Sequence, residues 1–256
     1  MKRPQIIAIC NRKGGTGKTN VAINLAAYLA ALDQKILLID SDPQANATSG
    51  LGVRNIDQGI YEVLSQQIPA SSALTKVREN FWLMPANKNL AGADIELVGL
   101  ENRELVLSKA LKEFLAQGDF DFVFIDTPPS LGLTTINSLV AADQILIPVQ
   151  TEYYALEGLG QLMETIDLIK ENLQPNLNIL GAVLTMYDRR SRLSLEVWHE
   201  LYQHFPHRIF RTVIPRNIAL AEAPSYGKTI LEYAPNSKGG VAYKRLAKEL
   251  LFNHQL

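Results

Sequence analysis

Seven consecutive residues, Lys13-Gly14-Gly15-Thr16-Gly17-Lys18-Thr19, constrain the fold of this 256-residue chain more than any other stretch. They follow the short apolar run Ile6 to Cys10 and precede Asn20-Val21-Ala22-Ile23-Asn24-Leu25-Ala26, which reads as a helix. A glycine-rich turn between strand and helix aims consecutive backbone N–H groups at one point, and the helix N-terminus adds the positive end of its dipole. Such a cradle suits a phosphate group. Lys18 would neutralise β- and γ-phosphate charge there, and the Thr19 hydroxyl would ligate Mg2+. The common phosphate-loop pattern has a glycine where this chain has Arg12, so the pattern is not matched in full; a second lysine, Lys13, heads the loop instead. A chance glycine-rich turn is the competing reading, and the order strand, loop, helix weighs against it.

The rest of the chain supports the same architecture. Further strand candidates are Ile36 to Ile39, Phe81 to Met84, Phe122 to Ile125, Ile145 to Val149, Ile179 to Leu184 and Ile209 to Val213. Most are apolar throughout, as expected of strands buried on both faces of a mainly parallel sheet. Helical patterns cover Thr19 to Leu32, Arg103 to Gln117, Leu156 to Asn172, Ser191 to His204 and Val241 to Phe252. The alternation implies an α/β fold, a doubly wound sheet with helices on both faces, and no repeat or long linker divides residues 1–256, so one domain is expected. The region Asn55 to Asn80 is the least regular and reads as peripheral helices or loops. With 47% hydrophobic residues and a net charge of −1, the composition excludes a disordered chain. The one cysteine, Cys10, reads as a small buried thiol and excludes a disulfide scaffold. No apolar stretch reaches the length of a signal core or of a membrane-spanning helix, so a cytoplasmic protein is expected.

Two acidic segments end candidate strands. Asp40-Ser41-Asp42-Pro43 follows the second, and two carboxylates two residues apart project to one side while the backbone stays extended. Ligands of open α/β sheets bind at that end of the strands. Taken alone, Asp-Pro would be read as a simple turn. Phe122-Val123-Phe124-Ile125-Asp126 continues into Thr127-Pro128-Pro129-Ser130; an aspartate there could hold Mg2+ through water, or merely cap the next helix.

These three segments together resemble the deviant Walker A ATPases, with Thr16 in place of the usual valine. Thr151-Glu152-Tyr153-Tyr154-Ala155-Leu156-Glu157-Gly158, Leu184-Thr185-Met186-Tyr187-Asp188, Ile214-Pro215-Arg216-Asn217 and Glu222-Ala223-Pro224-Ser225 extend the likeness nearly end to end. They look like the chromosomal, Soj-like branch of the ParA family of DNA-partitioning ATPases. The resemblance implies ATP and Mg2+ as cofactors, with Gly14, Gly15, Thr16, Gly17, Lys18, Thr19 and Asn20 around the phosphates and Pro215 and Asn217 near the adenine. It implies Lys13 acting across a nucleotide-sandwich homodimer, Lys18 acting in cis, and Asp42 positioning the attacking water. Thr19, Asp40 and Asp126 would form the metal site. Lys13 as a solvated loop charge is the alternative. The lack of a long N-terminal extension argues against an operator-binding member.

The neutral total hides an asymmetry. Residues up to Leu184 carry 14 Lys and Arg against 20 Asp and Glu, or −6; the remainder carries 11 against 6, or +5. Such a basic end can neutralise DNA phosphates without reading bases. In the family two such faces join on dimerisation, and Arg190, Arg192, Lys228, Lys244 and Lys248 are the contacts expected here. Relatives often have a basic residue where this chain has Ala219. A solvated, partly ion-paired surface is the plainer reading of any one of these charges. The implied partners are a second copy of the chain, non-specific double-stranded DNA on the nucleoid, and a ParB-like adaptor. A MinD-like membrane ATPase would use an amphipathic tail, but positions 242, 243, 246, 247 and 250 form a stripe better suited to packing on the domain. A nucleotide-gated DNA scaffold with negligible turnover is the third reading, and intact Asp42 and Asp126 weigh against it.

Overall fold

A computed structural model describes residues 3–116, 120–152 and 155–254, with the backbone alone at 155–157 and 253–254. Among these residues lie the strands β1 (Gln5–Ile9), β2 (Ile36–Asp40), β3 (Thr75–Arg78), β4 (Phe81–Met84), β5 (Phe122–Asp126), β6 (Gln144–Gln150) and β7 (Asn178–Thr185). They form one sheet in the order β3-β4-β2-β5-β1-β6-β7, parallel except for the antiparallel edge pair β3–β4. β2 and β5 are buried at every position, which is why their sequences are apolar without alternation.

Successive side chains of β1 enter opposite cores. Ile7 and Ile9 pack with Leu25 and Leu29 of the helix Lys18–Ala30 and with Tyr243, Leu246 and Leu250 of the helix Lys238–His254. Ile6, Ala8 and Cys10 face the other layer, where Leu111, Leu139, Ile166 and Leu201 come from the helices Val106–Leu115, Leu133–Ala141, Ala155–Asn172 and Arg192–His204. Each fully buried leucine contributes roughly 2 kcal/mol of transfer free energy. The parallel register sets Ile9 and Asp40 beside Asp126, so the loops leaving β1, β2 and β5 emerge together at one edge of the sheet.

Two expectations need correction, and one helix was not foreseen. Ile209 to Val213 is not a strand but meets β7 through an isolated bridge, Ala182 with Ile209. The N–H groups of Arg211 and Thr212 donate instead to the Glu249 carboxylate, at 2.8 and 2.9 Å, which takes them out of a ladder. The region Asn55 to Asn80 includes the edge strand β3, half-exposed and irregular between Lys76 and Arg78, so its sequence lacks an apolar run. The helix Leu133–Ala141 escapes an apolar-pattern reading because four of its seven buried side chains, Thr134, Thr135, Asn137 and Ser138, are polar. Thr134 donates from N and Oγ1 to Asp94 at 2.7 and 2.5 Å, and Asn137 accepts from Leu107 N at 3.0 Å. The helical segment from Arg103 begins as a 3-10 turn over Arg103–Leu105. Gln117, Tyr153 and Tyr154 lie outside the described residues.

Candidate nucleotide site and cationic face

The loop after β1 turns on two glycines in the left-handed region, Gly15 (φ 76°) and Gly17 (φ 85°). An added Cβ would find open space at Gly15, so there the backbone and not crowding requires glycine. Asn11 braces the loop entrance: its Nδ2 donates to Pro148 O at 2.7 Å and its Oδ1 accepts from Lys13 N at 3.0 Å. From the far side Thr185 Oγ1 donates to Thr16 O at 2.7 Å, tying the loop to the end of β7. Lys18 is buried and its Nζ donates to Asn11 O at 3.0 Å and Lys13 O at 3.4 Å. Burial pushes its ammonium pKa down, against the opposing pull of Asp126.

Asp40, Asp42 and Asp126 are all buried at the mouth of this loop. Asp40 Oδ2 accepts from Thr48 N at 2.8 Å and Thr48 Oγ1 at 2.6 Å, and its Oδ1 accepts from Asp42 N at 3.2 Å. Asp42 Oδ1 accepts from Gln44 N at 2.9 Å. Burial raises the Asp40 carboxyl to about 6 despite those hydrogen bonds. Burial, then the neighbouring Asp40 charge, holds Asp126 well above the usual carboxylate range. The Thr19 hydroxyl tempers that shift but stands outside hydrogen-bond geometry, so both Asp126 oxygens are buried without a hydrogen-bond partner.

A buried carboxylate with no donor is costly unless a cation meets it. Among the described residues no three His, Cys, Asp or Glu side chains gather as a metal cage. Mg2+ needs no such cage, since it keeps several waters and is held by one or two carboxylates plus substrate phosphates. Thr19 and Asp126, with Asp40 behind, fit such a site.

A cavity of about 360 Å³ opens beside the loop, lined by Asn20, Met186, Pro215, Asn217, Ile218 and Tyr243 among others. Both residues expected near a base therefore reach it. Asn217 Oδ1 accepts from Ala219 N at 2.8 Å, which leaves its amide N–H groups available as donors. Met186, Tyr243, Asn11 and Thr185 were not among the expected site residues, although Thr185 and Met186 lie in a segment that carries the family likeness and Asn11 stands two residues before Lys13.

Lys13 is half-buried, and its ammonium lies 2.6 Å from Glu152 Oε2 in the same chain. The other Glu152 oxygen accepts from Gln150 Nε2.

The five residues expected to contact DNA are all exposed. Arg190 lies 3.2 Å from Asp188 and Arg192 3.0 Å from Glu196, both in surface ion pairs. Lys244 and Lys248 stand one turn apart on the C-terminal helix, and Lys228 follows the turn at Gly227. Only Arg190 of the five lines the broad groove of about 950 Å³ that the structure builds on this side. There it joins Arg189, Arg211, Arg216, Lys238 and Arg245, with Asp188 as the one carboxylate of the lining.

Comparison with known proteins finds relatives along nearly the whole chain. The AAA domain family matches residues 4–179. The chromosome-partitioning ATPase Soj of Thermus thermophilus is 49% identical over 245 residues, covering 96% of this chain and 94% of that protein. The sporulation initiation inhibitor protein Soj of Bacillus subtilis is 46% identical, covering 97% and 99%. A crystal structure of cobyrinic acid a,c-diamide synthase from Mycobacterium smegmatis, with bound ADP and magnesium, superposes with a TM-score of 0.86 at 34% identity, covering 98% of this chain and 96% of that one. The phosphate loop, the strand-end aspartates and this near full-length likeness make the chain a member of the ParA/Soj family of chromosome-partitioning ATPases.

Proposed function

We propose that residues 1–256 act as one ATPase domain that binds ATP with Mg2+, dimerises around it, and in that state holds DNA without sequence preference. Through a ParB-like adaptor it would segregate or position a chromosome, a plasmid or another cargo in the cytoplasm, on the nucleoid. The observation that carries the nucleotide reading is the unpartnered, buried Asp126 carboxylate beside Asp40 at the mouth of the phosphate loop.

Phosphoryl transfer to water depends on positioning and charge neutralisation more than on covalent chemistry. Gly14 to Thr19 would surround the phosphates with backbone N–H groups, and Lys18 would turn from the carbonyls of Asn11 and Lys13 to the β- and γ-phosphates. Bound Mg2+ would supply further neutralisation of phosphate charge. Asp42, held by Gln44 N, would accept a hydrogen bond from the attacking water. Lys13 would exchange Glu152 for the phosphates of the second protomer. The cationic groove supports the DNA reading: its charge is local although the chain total is −1. The apolar stripe Ala242, Leu246 and Leu250 of the C-terminal helix is buried against the fold, which favours DNA over a membrane surface as the partner.

The test is an ATPase assay crossed with duplex DNA and a candidate adaptor. Synergistic stimulation is expected; turnover indifferent to both would count against the partition role. Asp42→Ala is expected to lose hydrolysis by at least tenfold while keeping ATP-dependent dimerisation. Full turnover by that variant would remove Asp42 from the mechanism.

A further inference from the structure

Two residues belong to both cavities. Pro215 and Arg216 line the 360 Å³ pocket on one side and the 950 Å³ cationic groove on the other. The strip that carries them is pinned to the end of β7 by backbone hydrogen bonds: Ile214 N donates to Leu184 O at 2.8 Å, Tyr187 N to Ile214 O at 3.0 Å, and Arg216 N to Tyr187 O at 3.2 Å. In the chain between Leu184 and Tyr187 lie Thr185, which holds Thr16 O of the phosphate loop, and Met186. Met186 lines the base pocket with a left-handed backbone (φ 52°), a conformation unfavourable for a non-glycine residue that persists where surrounding structure imposes it. Beyond the wall, the exposed Arg216 side chain faces Arg189, Arg190, Arg211, Lys238 and Arg245.

We infer that Arg216 links the two cavities within one protomer, so that a phosphodiester backbone seated in the groove retains the nucleotide in the base pocket. The inference rests on the DNA reading above and adds its regulation. A base packed on Pro215 has the Pro215–Arg216 strip as one wall of its pocket, so its hold on the base depends on how firmly that wall stays in place. A phosphate bound by the Arg216 guanidinium ties that wall to a ligand held by five further cations, so the wall yields less readily. By linkage the effect is mutual: occupancy of the base pocket holds Arg216 in the position that meets the phosphate. Cations that line only the groove, such as Arg245, add affinity for DNA but do not touch the wall.

The experiment follows the release of a fluorescent, non-hydrolysable ATP analogue from the Mg2+-loaded full-length protein, chased with unlabelled ATP, against increasing duplex DNA of unrelated sequence. Light scattering records the dimer fraction in each sample. For the wild type, saturating duplex is expected to slow release roughly fivefold, the lower end of common coupling strengths. Arg245→Ala should need more duplex but reach the same plateau. Arg216→Ala should bind duplex at raised concentration yet release at the duplex-free rate, and Arg216→Lys, which keeps the charge, should recover part of the retention. An Arg216→Ala plateau equal to wild type, or duplex without effect on wild-type release, overturns the linkage while leaving DNA binding intact. A lower dimer fraction in Arg216→Ala would assign its loss to dimerisation and overturn the linkage as well. Absence of duplex binding in every nucleotide state overturns the DNA reading and the linkage together.

Discussion

Asp126 has an apolar strand behind it, Asp40 beside it and no hydrogen-bond donor on either oxygen. Burial raises the Asp40 carboxyl to about 6 in the folded chain, whereas an unfolded aspartate ionises at about 4. Over that interval the folded state binds more protons than the unfolded state, so these two groups make the nucleotide-free protein less stable as pH rises through it, and Asp126 extends the loss upward. Asp126→Asn, which removes one of the two charges, is therefore expected to melt above wild type at neutral pH, with a Tm difference that grows between pH 5 and pH 8. It should also lose the stabilisation that wild type gains from Mg2+ with nucleotide. Thermal scans across pH check both, and a difference independent of pH would falsify the assignment. Asp40 and Asp126 were legible in the sequence because each ends an apolar run, and Asp42 because it stands two residues beyond Asp40. Thr48, which ties Asp40 at 2.6 Å and accepts from Ala86 N at 3.0 Å, was not, since nothing local distinguishes it from any other helix threonine.

Among the elements, β1, β2 and β5 could be read from their apolar runs, and the helix after β1 from its spacing. The segment 209–213 could not. Its residues have strand character, yet Glu249 of the C-terminal helix accepts from Arg211 N, Thr212 N and, at 3.3 Å, Arg208 Nη2. A carboxylate that accepts two backbone N–H groups competes directly with a ladder, and the helix that delivers it is fixed by burial of Tyr243, Leu246 and Leu250. Glu249→Ala should cost about 1–3 kcal/mol in urea unfolding, the range for donors left without a partner. It should also weaken duplex binding, because Arg211 lines the groove from this segment. Unchanged stability together with unchanged DNA affinity would show that water replaces the carboxylate at no cost. The polar part of the buried face of Leu133–Ala141 was hidden for a related reason: Thr134 and Asn137 are satisfied by Asp94 and by Leu107 N, partners far away along the chain.

For the whole molecule, the issue is what a second copy changes. Lys13 is paired with Glu152, 139 residues away, so a reach across a dimer begins by breaking a contact of its own chain. Lys13→Ala is expected to abolish ATP-dependent dimerisation in sedimentation velocity, and with it the ATP dependence of duplex binding. Dimers that form with wild-type affinity would leave Lys13 as a partner of Glu152 alone. Salt should weaken the DNA complex of the wild type steeply, with a slope near −0.9 per phosphate neutralised, and the slope should be shallower for the monomeric variant because it presents one groove instead of two.

The fold class, the phosphate loop and the strand-end acids follow from the order of residues along the chain, because periodicity, glycine conformation and strand termini are local properties. The total of −1 resolved, still within the sequence, into −6 and +5. Which of the basic residues meet was a matter of packing. The groove is assembled from the turn after β7, the strip 211–216 and the start of the C-terminal helix, and it gathers Arg189, Arg211, Arg216, Lys238 and Arg245 around Arg190 while Arg192, Lys228, Lys244 and Lys248 lie outside its lining. Contacts of that kind depend on how two buried faces dock on one sheet, and no spacing along the chain encodes them.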